Sequence, residues 1–162
     1  RLDNVEKRLD NMEKRMENME KRMESMEKEM SIMKERLDNI ERRLSNVELG
    51  LGALSESFYS KYALEDIERD AGSRGEKVVS WERRFVVNGR EVDLVVETEK
   101  AVYIVEVKIK PTAGDVRTLL RTAKLIARLK PDKEIRPVLA GALIGLEIKR
   151  YAETRGVKVL SY

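Results

Sequence analysis

The stretch Arg90–Lys108, with the sequence REVDLVVETEKAVYIVEVK, decides the fold of the C-terminal part of the chain. It predicts two strands, rich in valine and isoleucine, that are joined by a short turn. Asp93 lies on the first strand, and Glu106 and Lys108 share one face of the second. Charged groups on buried strands are costly unless they are paired or bind a metal ion. We therefore expect these three side chains to converge from adjacent strands.

The sequence on either side of this stretch predicts an α/β domain with a mixed sheet that is flanked by helices. Asn88-Gly89 is a strong hairpin-turn signal and places another strand before the pair. Asp115 is the expected N-cap of a following helix. Pro137, inside a later strand, indicates an edge strand or the start of a strand. The predicted elements in chain order are helix 53–71, strand 77–87, strand 91–97, strand 101–108, helix 116–130, strand 135–140, helix 144–155 and strand 157–160.

Residues 1–48 carry a different pattern, in which apolar residues recur at alternating intervals of three and four. This is the heptad seam of a left-handed coiled coil, and it predicts a rod (residues 1–50) before the domain (residues 51–162). The seam continues through Leu51, Leu54 and Phe58, or Gly50 and Gly52 form a hinge; the pattern allows both. The seam residues are Leu2, Val5, Leu9, Met12, Met16, Met19, Met23, Met26, Met30, Met33, Leu37, Ile40, Leu44 and Val47.

The charges that flank the seam predict parallel, in-register pairing of identical chains. Each g residue would then face the e residue five positions later in the partner, and all seven such pairs are opposite in sign. Antiparallel pairing would mostly oppose like charges. The composition of the seam leaves homodimer and homotetramer open, and a promiscuous binding groove is another use of its methionines. The g positions are Arg1, Arg8, Arg15, Arg22, Glu29, Arg36 and Arg43, and the e positions are Glu6, Glu13, Glu20, Glu27, Lys34, Glu41 and Glu48.

The composition narrows the possible chemistry. The 162 residues contain neither Cys nor His, which excludes disulfides, thiol nucleophiles, Ser-His-Asp triads and His-ligated metals. Any metal ion must be held by oxygen ligands, which favours Mg²⁺ or Mn²⁺. The absence of Gln and the 39% of charged residues fit a protein from a hot environment.

The charge is unevenly distributed along the chain. Residues 1–48 hold 12 Lys/Arg against 13 Asp/Glu, and the remainder holds 21 against 17. This mild positive excess on the C-terminal part permits nucleic-acid binding without requiring it. No run approaches the roughly 18 apolar residues that span a membrane, and no signal peptide is visible. We therefore expect a cytoplasmic protein with no membrane partner, and, since the heptad pattern is already in phase at Arg1, further sequence upstream.

Asp93, followed by the triplet Glu106-Val107-Lys108, resembles the motif of the PD-(D/E)XK, or restriction-endonuclease-like, superfamily. That family carries an Asp and then a (D/E)-x-K triplet on the next strand of an αβββαβ core, and the predicted order here matches it. The whole chain is similar to archaeal proteins of unknown function in which a long coiled coil precedes such a domain. Their Ser-Glu pair at the start of the first helix looks like Ser55-Glu56. Val92 stands where the name-giving Pro lies in the family, which is a common departure.

The resemblance implies a Mg²⁺-dependent nuclease that hydrolyses DNA phosphodiester bonds. Asp93, Glu106 and the carbonyl of Val107 would bind Mg²⁺ or Mn²⁺. Lys108 would orient or help deprotonate the attacking water and stabilise the charge that develops on the phosphate. The alternative is a cross-strand salt-bridge cluster with no chemistry, in a protein that is a non-catalytic nucleic-acid-binding module or a scaffold.

The family also places a Glu on the first helix, where it would hold a second metal ion or its water. Glu56, Glu65 and Glu68 are the candidates. Glu56 lies on the helix face that is expected to pack on the sheet, whereas Glu65 and Glu68 lie on the charged side. Glu56 is therefore the predicted site residue, although a carboxylate near a helix N-terminus is also favoured by the helix dipole alone.

A basic stripe on the second helix predicts contact with backbone phosphates rather than with base edges. The stripe consists of Arg117, Arg121, Lys124 and Arg128. A solvated helix face explains the same pattern equally well.

Overall fold

The computed structural model describes residues 1–162, which form three helices and five strands in the predicted order. The chain divides into two compact units, Arg1–Leu49 and Gly50–Tyr162. No helix combines the length and the apolar character needed to cross a bilayer. The elements are α1 (Leu2–Ser73), β1 (Val78–Val87), β2 (Arg90–Thr98), β3 (Ala101–Val107), α2 (Ala113–Leu129), β4 (Glu134–Gly141), α3 (Leu146–Glu153) and β5 (Lys158–Ser161).

The five strands form one mixed sheet in the order β1-β2-β3-β4-β5. The first three strands are an antiparallel meander, and β3, β4 and β5 run parallel. Asn88 and Gly89 join β1 to β2 with φ values of 46° and 73°. A two-residue type I′ hairpin turn requires positive φ at both positions, so the predicted turn is confirmed.

Helices cover both faces of the sheet, and each face has its own apolar core. On one face, Ala63 and Ile67 of α1 pack with Tyr103 of β3. On the other, Leu119 and Ile126 of α2 pack with residues from the opposite side of the same strands. Every residue of β3 except Glu106 is buried, which is the pattern of a central strand covered on both sides. The predicted α/β architecture is confirmed.

Two predicted details of the domain are wrong. The N-cap of α2 is Thr112 rather than Asp115, because the two residues form a capping box in which Asp115 accepts a hydrogen bond from the Thr112 backbone N–H (2.8 Å). Strand β4, which contains Pro137, is not an edge strand. Its pairing with β5 begins only at Val138, so Pro137 has a strand neighbour on the β3 side alone. Helix α1 includes both Gly50 and Gly52.

In the unit Arg1–Leu49, the heptad seam is exposed along its whole length. Met16 and Leu37, for example, are 58% and 57% exposed. A continuous apolar stripe on a single helix is normally buried against another surface.

In the other unit, a network of hydrogen bonds fastens the end of α1 to β3 and β4. The buried carboxylate of Glu76 accepts a hydrogen bond from the Thr98 hydroxyl (2.7 Å) and two from the Arg136 guanidinium (3.0 and 3.3 Å). Arg136 also donates to the Tyr103 hydroxyl (2.8 Å), which donates to Asp70 (2.7 Å). Thr98 and then Arg136 lower the pKa of Glu76, since they favour its charged form.

This lowered pKa makes the stability of the domain depend on Glu76 at neutral pH. A depressed folded-state pKa contributes stability above the unfolded-state value, and that contribution is lost as the pH falls through the folded-state value. Glu76→Gln should therefore lower the midpoint of thermal unfolding at pH 7, and the difference from wild type should shrink under acidic conditions. The exposed Glu82→Gln is the matched control in the same circular-dichroism melts. A deficit that stays constant as the pH falls would contradict the assignment.

Candidate functional site

The centre of the candidate site is the position where β2 and β3 separate. Their backbone pairing ends at Leu94 and Val105, one step before Asp93 and Glu106. The Asp93 carboxylate accepts a hydrogen bond from the Val107 backbone N–H at 2.7 Å. Where the backbone pairing of β2 and β3 ends, the Asp93 side chain thus accepts the hydrogen bond of the Val107 N–H group. Asp93 and Glu106 are therefore neighbours at the open end of two strands.

On the other side of β2, Arg84 lies opposite Asp93, between the register pairs Arg83–Leu94 and Phe85–Val92. Its φ of 53° is unusual for a residue with a side chain. The strand changes face here: Arg83 lines a cavity on the α1 side, whereas Phe85 packs in the core on the α2 side. In a regular strand, residues two apart share a face. Such backbone strain is typical of functional positions.

Helix α1 contributes Glu56 to the same place. Glu56, Asp93, Val107 and Lys108 all line one cavity of about 290 Å³. The Glu56 Oε1 atom lies 3.6 Å from the Arg84 Nε atom and is buried without a hydrogen-bond partner. Glu65 and Glu68 are exposed further along α1.

The carboxyl groups of this site are held in an environment that opposes their ionisation. Burial, and then the charge of Asp93, raise the pKa of Glu106 to about 8. Burial also raises the pKa of Asp93, against the hydrogen bond from Val107, and the charge of Glu56 raises it further. Lys108 partly offsets both shifts, and Asp115 adds to that of Glu106. Lys108 therefore compensates only part of the cost of ionising these two carboxyl groups.

Lys108 follows β3 directly, and its position depends on a close approach to the end of β4. Its backbone N–H donates to the Ala140 carbonyl at 3.0 Å. A Cβ atom at Gly141 would overlap the Lys108 carbonyl oxygen. Glycine is therefore required at this crossing, and a larger residue would displace the backbone that carries Lys108.

The residues present fit an oxygen-coordinated divalent cation. Asp93 and Glu106 supply neighbouring carboxylates that a cation would help to ionise, and the Glu56 Oε1 atom, which accepts no hydrogen bond, is a further acceptor. No three carboxylates of the chain converge into a ligand cluster in this conformation. Glu56 is held by Arg84, so a cation that used it would compete with this ion pair.

The basic stripe lies on the exposed face of α2. Arg121, Lys124 and Arg128 line an open groove together with Arg90 of β2, whereas Arg117, one turn earlier, is exposed outside it. Arg128 lies 13 residues beyond Asp115, or about 20 Å along the helix axis. The stripe therefore extends away from the carboxylates.

No role was predicted from the sequence for Arg84 or Gly141. For Arg84 a signal was available: counting back across the Asn88-Gly89 turn puts it opposite Asp93. For Gly141 there was none, because its role depends on where the chain after β3 crosses β4.

No family model matches the sequence, and no curated protein is detectably similar to it. Among solved structures, a repair endonuclease from Pyrococcus abyssi is similar with a TM-score of 0.48 and 14% identity, over 64% of this chain and 45% of that one. EndoMS in its dsDNA2 complex gives a TM-score of 0.44 and 17% identity, over 52% and 37% of the two chains. This chain thus matches less than half the length of these proteins. Similarity of this extent is compatible with many activities.

The opposed ionisation of Asp93 and Glu106 predicts a measurable response to divalent cations. Asp93→Asn keeps an acceptor for the Val107 N–H and removes one charge, so it should raise the unfolding midpoint of the metal-free protein. Mn²⁺ should stabilise the wild type, by about 2.7 kcal/mol at one hundred times Kd, and should not stabilise this variant. Differential scanning calorimetry with and without Mn²⁺ measures both effects, with the exposed Glu91→Gln as control. Equal Mn²⁺ shifts in wild type and Asp93→Asn would refute a cation site at Asp93.

Proposed function

We propose that the chain is a Mg²⁺-dependent nuclease of the PD-(D/E)XK type that hydrolyses DNA phosphodiester bonds. The observation that carries this proposal is that the half-buried carboxyl groups of Asp93 and Glu106 lie close together near Lys108, at the separated end of β2 and β3. Neighbouring groups of perturbed pKa, one of them (Asp93) in the wall of a cavity, are typical of functional sites.

Asp93, Glu106 and the carbonyl of Val107 would hold Mg²⁺ or Mn²⁺, with Glu56 as a further ligand. The ion would act as a Lewis acid on the scissile phosphate and lower the pKa of a bound water. Lys108 would orient the attacking water and stabilise negative charge on the phosphate.

Arg84 has a role in the same proposal. Its guanidinium is 59% exposed and touches the site only through Glu56. Guanidinium groups bind phosphate oxygens through charge-assisted hydrogen bonds. If Glu56 served as a ligand of the cation, Arg84 would be free to contact a non-bridging oxygen of the substrate.

DNA is the proposed substrate because of the groove on α2. Arg90, Arg121, Lys124 and Arg128 concentrate positive charge without an acidic residue among them. Such a surface binds backbone phosphates, releases counterions and loses affinity as the salt concentration rises.

The Arg84–Glu56 ion pair favours one alternative function. Ion pairs between neighbouring strands and helices can stabilise a fold without any chemistry. The protein would then be a nucleic-acid-binding module or a scaffold with a nuclease-like fold. This alternative predicts salt-dependent DNA binding, or no binding, in the absence of cleavage.

Lys108 provides the direct test. Lys108→Ala should reduce metal-dependent cleavage of DNA by at least about 100-fold, since the general acid–base contribution of a positioned side chain is of this order. Lys110→Ala, which removes an exposed lysine two residues away, should retain activity. Cleavage of single-stranded, duplex and branched DNA is followed on denaturing gels with Mg²⁺ or Mn²⁺. A wild-type protein that cuts none of these substrates would exclude the nuclease.

The second part of the proposal is that a second copy of the chain covers the exposed seam in a parallel, in-register coiled coil. Its support is the exposure of the apolar stripe together with the charges beside it. Each exposed pair contributes only about 0.3–0.5 kcal/mol, but their agreement selects one orientation over the other. Dimer and tetramer both satisfy this pattern.

Charge reversal tests the orientation. Arg8→Glu, Arg15→Glu and Arg22→Glu together would set like charges at six g–e pairs of a parallel dimer, whereas the antiparallel arrangement would tolerate them. Association should weaken by roughly 100-fold if both copies of each pair change sign. Sedimentation equilibrium measures the change. Adding the complementary reversals should restore it: Glu13→Arg, Glu20→Arg and Glu27→Arg. Unchanged association of the first variant would refute parallel pairing.

A further inference from the structure

A second cavity of about 290 Å³ lies between α1 and β1, beside the candidate site but distinct from it. Its polar lining comes from Ser57, Ser60 and Lys61 of α1 and from Arg83 of β1. Trp81 forms one wall, and two leucines complete the apolar part. The proposed hydrolysis uses none of these side chains.

Two polar atoms in this cavity lack the partners that buried groups normally have. The Ser60 hydroxyl belongs to a residue that is 1% exposed, and it makes no hydrogen bond. The Nε–H of Arg83 is also buried and unpaired, while a terminal nitrogen of the same guanidinium donates to Ser57 at 3.3 Å. Since an unsatisfied buried polar group is costly, these atoms indicate a polar ligand.

Trp81 is unusual because its large aromatic side chain is exposed rather than buried. It is 53% exposed on the edge strand of the sheet, although a large aromatic side chain gains most from burial. An accessible indole face beside a polar cavity is suited to stacking against another flat ring.

The charges of the residues that line the cavity indicate the charge of the ligand. Lys61 and Arg83 are both cationic, and the cavity has no acidic lining residue. The fitting ligand is therefore an anion that carries a planar ring. The volume lies at the small end of ligand sites, which begin at about 300 Å³, and therefore suits a single nucleotide.

We propose that this cavity binds one unpaired nucleotide of a DNA substrate, with its base stacked on Trp81 and its phosphate at Arg83 and Lys61. Bases inside a duplex present their faces only to one another, so the ligand must be single-stranded, extrahelical or at a frayed end. The choice of DNA rests on the proposed function. The substrate class is then DNA with an unpaired segment beside the cleaved bond, because Ser57 and Arg83 adjoin Glu56 and Arg84 in sequence.

The only tryptophan of the chain is Trp81, so its fluorescence reports on the cavity directly. The full-length protein is titrated in EDTA, where metal-dependent cleavage is blocked, with oligothymidylate, an abasic strand of equal length and a blunt duplex. Oligothymidylate should quench the emission, and the other two ligands should bind with much less quenching. Equal quenching by duplex and single strand, or none by any ligand, would overturn the proposal.

Variants test the individual contacts by fluorescence anisotropy of labelled oligothymidylate. Trp81→Ala and Arg83→Ala should each weaken binding roughly tenfold, whereas Trp81→Phe should retain most of the affinity. Val86→Ala, on the same strand but outside the cavity, is the matched control. Equal affinity of Trp81→Ala and wild type would refute the stacking contact. If the Trp81 emission changes with protein concentration but not when DNA is added, Trp81 would instead be assigned to an interface between copies.

The nuclease proposal and the nucleotide-site proposal can be refuted independently of each other. If oligothymidylate quenches Trp81 but the wild type cuts no DNA with Mg²⁺ or Mn²⁺, the nuclease proposal fails and the nucleotide site stands. If DNA is cut but Trp81→Ala leaves the KM for flapped and blunt duplexes unchanged, the nucleotide site fails and the nuclease stands.

Discussion

The hydrogen bond from the Val107 backbone to the Asp93 carboxylate is the contact on which the candidate site depends. It replaces the strand pairing that ends at Leu94 and Val105, and so it holds the end of β3 while leaving the two strands apart. The separation of the two strands leaves room for the side chains of Glu106 and Lys108 near Asp93. A ladder that continued to Val107 would satisfy the backbone equally well, but it would leave no opening at this position.

The domain contains two clusters of charged residues, and they differ in how far the charges are compensated by their neighbours. The carboxylate of Glu76 is paired with Arg136 and Thr98 in a network that supports the fold, and its pKa is lowered. Asp93 and Glu106 face one another with incomplete compensation, and their pKa values are raised. The first cluster therefore stabilises the fold, while the second contains carboxyl groups whose ionisation is opposed by their surroundings. Charged groups in such an unfavourable environment are expected where function, rather than folding, determines which residues are present.

Arg83 and Arg84 are neighbours in β1, but each approaches a different cavity along α1. The left-handed backbone of Arg84 reverses the alternation of β1, so that Arg83 faces one cavity while Arg84 reaches Glu56 at the other. One strained residue thus separates a proposed site for phosphate hydrolysis from a proposed site for a base. A regular strand would direct these two arginines to opposite faces of the sheet, and Arg83 and Phe85 to the same face.

The sequence by itself determined the features that depend on neighbouring residues. The heptad spacing, the order of helices and strands, the Asn88-Gly89 turn and the approach of Asp93 to Glu106 all follow from local periodicity and from the register that a short turn imposes. Only the tertiary structure decided that Arg84 meets Glu56, that Gly141 crosses Lys108 and that Ser60 and Trp81 line one cavity. These contacts join segments that are distant in sequence, so they depend on how α1 and β4 pack on the sheet. The raised pKa of Glu106 belongs to the same class, because burial is a property of the whole packed domain and not of the Glu-Val-Lys triplet.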